Sequence, residues 1–400
     1  MAARGERRSL RSIDRNIAYG QTQLIKALSA MGELIPGLPE EVARECLVRV
    51  GFDQLPVVRR ISRQWKSEVE SPDYHRLRRA EGLARPVLAL AQAQPAAPAD
   101  DAAPAAHKHS STAASGGPAN SYRMVLLDPV EGRWAPLPAL PGPTESLPLF
   151  CQVAALDGGQ GRKRLVVVGG WDPETWAPMD AVFVYDFLTG AWRRGAPHAR
   201  AAAVLLRLRG RRRRREKNAL RSALAYDPDA DAWAWLPDMA AERDEPRGLC
   251  VAGRFLVVGG YPTQAQGRFV GSAEAFDPAT SAWVPVQDGL IEDGACPRTC
   301  CAAPGASERM YMLRDGHLVA RDGPAASWRP VAQVPEDALT AATVSAIPDG
   351  RVVVIGAGCH GGDQTVYVLR EEAGKGASWA RAPAPPEFSG HVQAACSLQI

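Results

Sequence analysis

Six of the ten tryptophans in this chain close near-copies of one short phrase, and that phrase limits what the chain can fold into. It reads Leu127-Asp128-Pro129…Trp134, Tyr185-Asp186-Phe187…Trp192, Tyr226-Asp227-Pro228…Trp233 and Phe276-Asp277-Pro278…Trp283. Weaker copies are Asp322…Trp328 and a stretch ending at Trp379. In the first five the Asp stands six residues before the Trp, and successive tryptophans are 58, 41, 50, 45 and 51 residues apart. Self-similarity at roughly 40–50 residues marks a solenoid or a propeller.

Each part of the phrase has a mechanical role. Asp-Pro starts a turn, because Pro presets φ and the Asp side chain can cap the turn. The residues before it, Ala181–Tyr185 and Ser272–Phe276, have the period of a strand. The Trp then lies on the returning strand of a hairpin, where a large flat side chain fills the space between stacked sheets. Upstream, Leu165-Val-Val-Val-Gly169-Gly170 and Leu256-Val-Val-Gly259-Gly260 end 22 and 23 residues before Trp192 and Trp283. An apolar run ending in Gly-Gly is a buried strand that turns sharply beside another backbone.

Apolar strand, Gly-Gly, alternating strand, Asp turn, Trp: from about Ser121 to Ile400 the sequence resembles the kelch repeat, one four-stranded blade of a β-propeller. The first copy, Ser121–Trp134, has a hairpin but no Gly-Gly strand before it. The last segment, 391–400, is an apolar strand with no hairpin after it. Each end supplies the half that the other lacks. The expected fold is therefore mainly β: a six-bladed kelch β-propeller over 121–400, closed by the C-terminal strand.

One blade is damaged in sequence. Between Trp192 and Tyr226 the expected strand and Gly-Gly give way to Leu205-Leu-Arg-Leu-Arg-Gly-Arg-Arg-Arg-Arg-Arg-Glu-Lys217. Three readings of Arg207–Arg215 stand: a frame or splice error in the gene as read, a solvated insertion, and a nuclear or nucleic-acid-binding patch.

Ahead of the propeller, 33–80 reads as a small helical module. Pro39 at a first helical position, followed by Glu40 and Glu41, is a helix start. Val42, Cys46, Leu47 and Val50 follow as one stripe; a second helix from about Pro56 places Val58, Ile61, Trp65 and Val69 at spacings of three and four. So short a helical segment cannot build a self-sufficient core and is expected to dock on something, or to cap the propeller. It resembles an F-box: Leu38-Pro39, Val42-Ala…Cys46-Leu47, Ile61-Ser62-Arg63…Trp65 and Ser71-Pro72-Asp73-Tyr74 match its motif, with Ser62 in place of the family's Cys. The resemblance implies a Skp-type adaptor as partner, and through it a cullin-RING ubiquitin ligase. Leu38, Pro39, Val42, Leu47, Ile61 and Trp65 are the candidate adaptor-binding residues.

An F-box followed by kelch blades resembles a well-populated plant family. Glu33–Pro39, Leu147–Cys151, Trp171–Trp176, Glu242–Glu245 and His391–Ala394 resemble the subgroup that recruits phenylalanine ammonia-lyase or cytokinin response regulators. Those targets enter by resemblance alone.

Segment 91–120, rich in Ala and Pro, reads as a linker. Residues 1–32, Arg-rich and poor in acids, read as a disordered extension, whether an upstream extension of the gene as read or a transit peptide. The net charge of +3 is too small to argue for nucleic acid, and the five-Arg run supplies more than that excess. The eight Cys have no C-x-x-C spacing, lie mostly in apolar strands and read as reduced core residues of an intracellular protein in cytoplasm or nucleus. No run of 18 apolar residues occurs, so no membrane span is expected.

Catalytic signals are poor. Gly356-Ala-Gly358-Cys-His-Gly361 matches G-x-G-x-x-G, but strand-like Gln364–Leu369 follows where a dinucleotide site needs a helix. No Ser-His-Asp or zinc spacing occurs, and no Tyr, His and Cys cluster like that of copper-using kelch oxidases can be assembled. The expectation is a non-enzymatic substrate receptor without cofactor; the alternatives are a propeller enzyme and a kelch scaffold outside a ligase. Loops after Gly-Gly and before the next blade should emerge at one end of the ring and carry the target-binding residues: Trp171, Trp176, Arg243, Asp244, Tyr261, His360 and His391.

Overall fold

The computed structural model describes residues 33–94, 121–142, 146–158, 162–198, 218–323, 325–372 and 376–400. The chain divides into two compact units, one ending at Ala84 and one running from Arg85 to Ile400.

In the first unit, α1 (Glu40–Val48), α2 (Leu55–Ile61), α3 (Arg63–Val69) and α4 (Pro72–Ala80) enclose Leu47, Val48, Val58, Val69 and Tyr74. Two helices stand where the sequence suggested one from Pro56 to Val69. Ser62 is extended (φ −150°, ψ 158°), ending α2, and its hydroxyl accepts the Trp65 N–H to cap α3. Ser71 caps α4 in the same way at Tyr74 N. The core is tied from within: the Tyr74 hydroxyl donates to Leu47 O, and buried Arg78 donates to Val48 O and Val50 O.

The second unit contains 22 strands among its described residues. Five four-stranded antiparallel sheets and one two-stranded sheet account for all of them. The first sheet holds β1 (Pro86–Ala93), β2 (Tyr122–Asp128), β3 (Arg133–Pro136) and, from the far end of the chain, β22 (Val392–Gln399), in the order β22-β1-β2-β3. The second is β4 (Gln152–Asp157), β5 (Lys163–Val168), β6 (Val182–Asp186) and β7 (Ala191–Gly195). The fourth runs from β10 (Arg247–Val251) through β11 (Arg254–Val258) and β12 (Ala273–Asp277) to β13 (Ala282–Trp283). The fifth comprises β14 (Cys301–Ala302), β15 (Arg309–Arg314), β16 (His317–Asp322) and β17 (Arg329–Gln333). The sixth comprises β18 (Thr340–Ala346), β19 (Val352–Ala357), β20 (Thr365–Glu372) and β21 (Gly376–Ala382).

The third sheet has two strands, β8 (Ala223–Asp227) and β9 (Ala232–Leu236). Residues 199–217, with the whole Arg207–Arg215 run, lie outside the described residues, as do 1–32. The innermost strands of the other five sheets stand side by side in the order β10, β14, β18, β22, β4.

Two sequence expectations need correction. The segment read as linker from residue 91 begins inside a strand. β1 runs to Ala93 because it is sandwiched between β22 and β2, with Val87–Ala93 all buried. The cysteines are not mostly core: Cys151, Cys300 and Cys301 are buried, but Cys46, Cys250, Cys296 and Cys359 are exposed. Cys250 shows why. It lies on β10 with its side chain on the face opposite buried Leu249.

The repeated phrase works as a ring of hydrogen bonds. Asp128, Asp186, Asp227 and Asp277 each accept turn N–H groups two residues on through Oδ1. Each Trp pairs across its hairpin with the apolar residue before the Asp: Leu127 with Trp134, Tyr185 with Trp192, Tyr226 with Trp233, Phe276 with Trp283. Each indole N–H then donates to a carbonyl of the preceding blade, at or beyond the end of its outer strand. Trp192 donates to Pro138 O (2.8 Å), Trp233 to Ala196 O (2.9 Å) and Trp283 to Pro237 O (2.6 Å). Trp328 donates to Leu290 O (2.6 Å), Trp379 to Gln333 O (2.6 Å) and, closing the circle, Trp134 to Pro383 O (2.9 Å). The Trp is needed for its N–H as well as for its area. Trp233→Phe, which keeps the ring against Tyr226 and removes the donor, is expected to cost about 1 kcal/mol. A denaturation midpoint lowered with unchanged slope would register that loss, and an unchanged midpoint would show that the bond carries nothing.

Candidate functional site

Two surfaces are candidates, one on each unit. On the helical unit, Leu38 (38 % exposed), Val42 (44 %), Val57 (54 %), Ile61 (57 %) and Leu77 are large apolar side chains in contact with water. Pro39 is also exposed. A helical unit this small that leaves so many apolar groups exposed presents a docking surface. Two of the sequence candidates do other work. Leu47 is fully buried in the core because it lies on the opposite side of α1 from Val42. Trp65 is half-buried, and its indole N–H holds Leu34 O at 2.5 Å, fastening the segment before α1. Val57 and Leu77 are exposed apolar positions that the sequence reading missed; their neighbours Val58 and Arg78 turn inward instead.

On the propeller, the loops that follow the Gly-Gly turns do meet the loops that open the same blades. Trp171 exchanges backbone bonds with Leu149 (2.9 and 2.8 Å), and Tyr261 does so with Asp244 (2.9 Å each way). The glycines allow this approach: φ is +100° at Gly170 and +85° at Gly260, and a Cβ there would stand 2.5 Å from Leu149 O and 2.9 Å from Asp244 O.

The sequence candidates divide. Trp176 is 53 % exposed and sits at φ +53°, held at the tip of a turn that Asp172 organises by accepting from Glu174 N and Thr175 N. Those backbone bonds, chiefly the one from Thr175, draw the Asp172 carboxyl below its usual range. Trp171 is half-buried, and His360 is exposed on the turn between β19 and β20. His391 is exposed, bonds Gln364 through Nδ1 (3.2 Å) and meets Tyr122 edge-on. Partial burial and the nearby Arg298 guanidinium hold its imidazole below the ordinary value.

Arg243 and Tyr261 are not surface residues. Arg243 is fully buried and paired with Glu274, also fully buried. Tyr261 is 4 % exposed and packs edge-on against Phe269. Burial raises its hydroxyl pKa first, and the carboxylates of Asp244 and Glu245 add to the rise. Asp244 is half-buried.

The loops that open the blades converge on a cavity of about 130 Å³ at the end of the propeller where the innermost strands begin; of the loops after the Gly-Gly turns only Phe269 reaches it, and Trp171, Trp176, Asp244, Tyr261 and His360 do not line it. Its wall includes Phe150, Glu245, Arg247, Arg298, His391 and Gln393. Of these only His391 was singled out from sequence, although Leu147–Cys151, Glu242–Glu245 and His391–Ala394 all contribute to this one mouth. A positional signal was available. Phe150 and Glu245 each stand two residues before an innermost strand, and Ala341 lies in the irregular start of another. All three have left-handed backbone, at φ +56°, +56° and +51°. Gln393 clamps the first of these loops: its Oε1 accepts Phe150 N (2.6 Å) and its Nε2 donates to Pro148 O (2.9 Å). Among the described residues no three His, Cys, Asp or Glu groups come together to hold a metal ion, and no helix is long and apolar enough to cross a membrane.

Comparison with known proteins agrees with both units. An F-box domain is matched over residues 35–77 and a Kelch motif over 161–198, the latter spanning the second blade from its Gly-Gly strand past Trp192. The chain is 35 % identical to F-box/kelch-repeat protein At1g80440 of Arabidopsis thaliana over 92 % of its own length and all of that protein. It is 33 % identical to F-box/kelch-repeat protein At1g15670 of the same plant, over 92 % of this chain and all of the relative. F-box/kelch-repeat protein SKIP20, also from Arabidopsis, is 29 % identical over 90 % of this chain and 94 % of the relative. With an apolar-surfaced F-box unit followed by a propeller wired through six of its tryptophans, this chain belongs to the plant F-box/kelch-repeat protein family.

Proposed function

We propose that this chain is the substrate-recognition subunit of a cullin-RING ubiquitin ligase of the Skp-adaptor type. The observation that carries the reading is the exposed apolar set Leu38, Val42, Val57, Ile61 and Leu77 on a helical unit that matches the F-box over its length. The propeller would hold a target protein at its loop-bearing mouth. The chain itself would make no bond: holding the target near a bound conjugating enzyme raises the effective concentration of the acceptor lysine. The work belongs in cytoplasm or nucleus. Resemblance to one plant subgroup gives two targets to test first, phenylalanine ammonia-lyase and cytokinin response regulators.

The test is co-purification with the Skp-type adaptor. Leu38→Ala combined with Pro39→Ala removes exposed apolar groups and leaves the core cluster around Leu47 and Tyr74 untouched. Truncating interface anchors costs about 2 kcal/mol each, so adaptor affinity is expected to fall about thirtyfold for each anchor lost while the thermal transition stays put. Undiminished adaptor binding by a folded double variant would remove this surface from the interface. Purification with the proteasome blocked, probed for the two candidate targets, tests the substrate side.

A further inference from the structure

The mouth where the innermost strands begin has a charge arrangement that the fold does not use. Arg247 donates through Nε to Cys300 O (3.1 Å), and its terminal N–H groups have no carboxylate partner among the described residues. Arg298 is exposed and makes no ion pair among them either. The single carboxylate on the lining is Glu245, whose charge also helps to raise the Tyr261 hydroxyl pKa. Two guanidiniums thus face one small space that holds a single carboxylate, which leaves positive charge in excess next to the exposed ring of Phe150 (54 %).

The space itself limits the ligand. At about 130 Å³ it is well under the ~300–1,000 Å³ of pockets that enclose a drug-sized molecule. It has room for a side chain reaching in from a larger body. The rim is also preorganised. Left-handed backbone at Phe150, Glu245 and Ala341 persists only where the surroundings enforce it, and Gln393 and the Asp244–Tyr261 bridge do so. A rigid rim loses little freedom on binding.

We propose that this mouth is a carboxylate-receiving pocket: Arg247 and Arg298 hold an acidic side chain of the target protein while Phe150 covers the adjoining apolar surface. Arginine suits this role because its planar fork matches a carboxylate with two parallel hydrogen bonds. The proposal rests on the reading of the propeller as the target-holding unit. It narrows the target to a protein presenting an acidic segment.

The experiment uses the full chain co-expressed with the Skp-type adaptor and fluorescein-labelled tetraglutamate and tetralysine as probes, with anisotropy as readout. Tetraglutamate is expected to bind about tenfold or more tighter than tetralysine, and Arg298→Glu or Arg247→Gln to erase most of that preference. Arg370→Glu makes the same change in net charge as Arg298→Glu. It lies on β20, away from the strand end at Gly356 and Thr365 that faces the mouth, and should leave the preference intact. The proposal is overturned by equal binding of the two probes, by an effect of Arg370→Glu as large as that of Arg298→Glu, or by an Arg298→Glu variant that binds like the parent. It is also overturned if inorganic phosphate displaces the peptide at concentrations equal to the peptide's own, since the site would then serve a small free anion. Adaptor retention is scored in the same samples. Loss of the adaptor by the parent chain with peptide selectivity intact would sink the ligase reading and leave the pocket; the reverse would sink the pocket alone.

Discussion

Arg243→Ala is expected to destabilise the propeller by about 3–5 kcal/mol, the loss typical of breaking a buried ion pair from one side. Arg243 and Glu274 are both fully out of contact with water. The guanidinium donates to Glu274 Oε1 (3.1 Å), Gly259 O (2.6 Å), Ser272 O (3.1 Å) and Ser272 Oγ (3.0 Å). The carboxylate also accepts from Ala240 N (2.6 Å) and Ala241 N (3.2 Å). Burial lowers the guanidinium pKa, and the Glu274 charge opposes that. Removing Arg243 leaves a buried carboxylate without its counter-charge and strands the Gly259 carbonyl, whereas Ser272 O keeps the Gly259 N–H; the junction is where Leu220 of the third blade bridges Arg243 itself. Chemical denaturation measures the loss. Replacing the pair together, Arg243→Met with Glu274→Leu, should recover part of it, because no charge is then left without a partner, although Ala240 N, Ala241 N and Gly259 O lose theirs. Stability within 1 kcal/mol of the parent in the single variant would mean that the site hydrates at little cost, about the loss of an ordinary hydrogen bond. A pure target-contact role for Arg243 would give that result with reduced capture.

The same pair shows what the sequence could and could not tell. A charged residue on a loop reads as surface, and Arg243 was placed with the target-binding group on that ground. Its partner lies 31 residues on, and burial of both is a property of two chain segments meeting. A trace existed: Glu274 sits between Ala273 and Ala275, ahead of Phe276, in the interior of a strand whose other charge, Asp277, belongs to the turn. The blades themselves were legible because the Asp and Trp positions encode local turns and hairpin pairs at fixed spacing. Their function as a circular chain of indole-to-carbonyl bonds was not, since each acceptor belongs to the neighbouring blade. β1 was missed for a related reason. Pro86–Ala93 is rich in Ala, Leu and Gln, good helix formers, and leads into an Ala/Pro-rich segment. Its strand state comes from the partners on its two sides. On the helical unit the apolar spacing was legible, but a spacing of three and four does not show that Ser62 interrupts it, or which apolar residues face out. The mouth was legible only in part, through His391. Arg247, Arg298 and Phe150 carry no motif and are brought together by the ends of different strands.

Deleting the nine residues after His391 is expected to abolish the cooperative fold of the propeller. These residues are β22 and Ile400, and β22 is the innermost strand of the first blade. It pairs with β1 from Pro86–Gln399 to Gln92–Val392, and Ile400 exchanges backbone bonds with Arg85 beyond it (2.6 and 2.9 Å). Val392 and Leu398 are buried, each worth about 1.5–3 kcal/mol of apolar burial. The loss does not stop there. Leu88 and Leu90, now fully buried beside β22, would meet water, and β1 would become an unpaired edge along the axis of the ring. β22 also lies against β4 and β18, so both neighbouring blades lose contacts at once. The sum is comparable to the whole ~5–15 kcal/mol stability of a typical domain. The truncated chain should show little soluble yield, and what is recovered should unfold without a sharp transition. A synthetic peptide spanning Val392–Ile400, added during refolding, should restore the transition by filling the vacant strand position. A truncated protein that melts sharply within a few degrees of the full chain would show that the indole ring of bonds, Trp134 to Pro383 included, closes the propeller without its C-terminal strand.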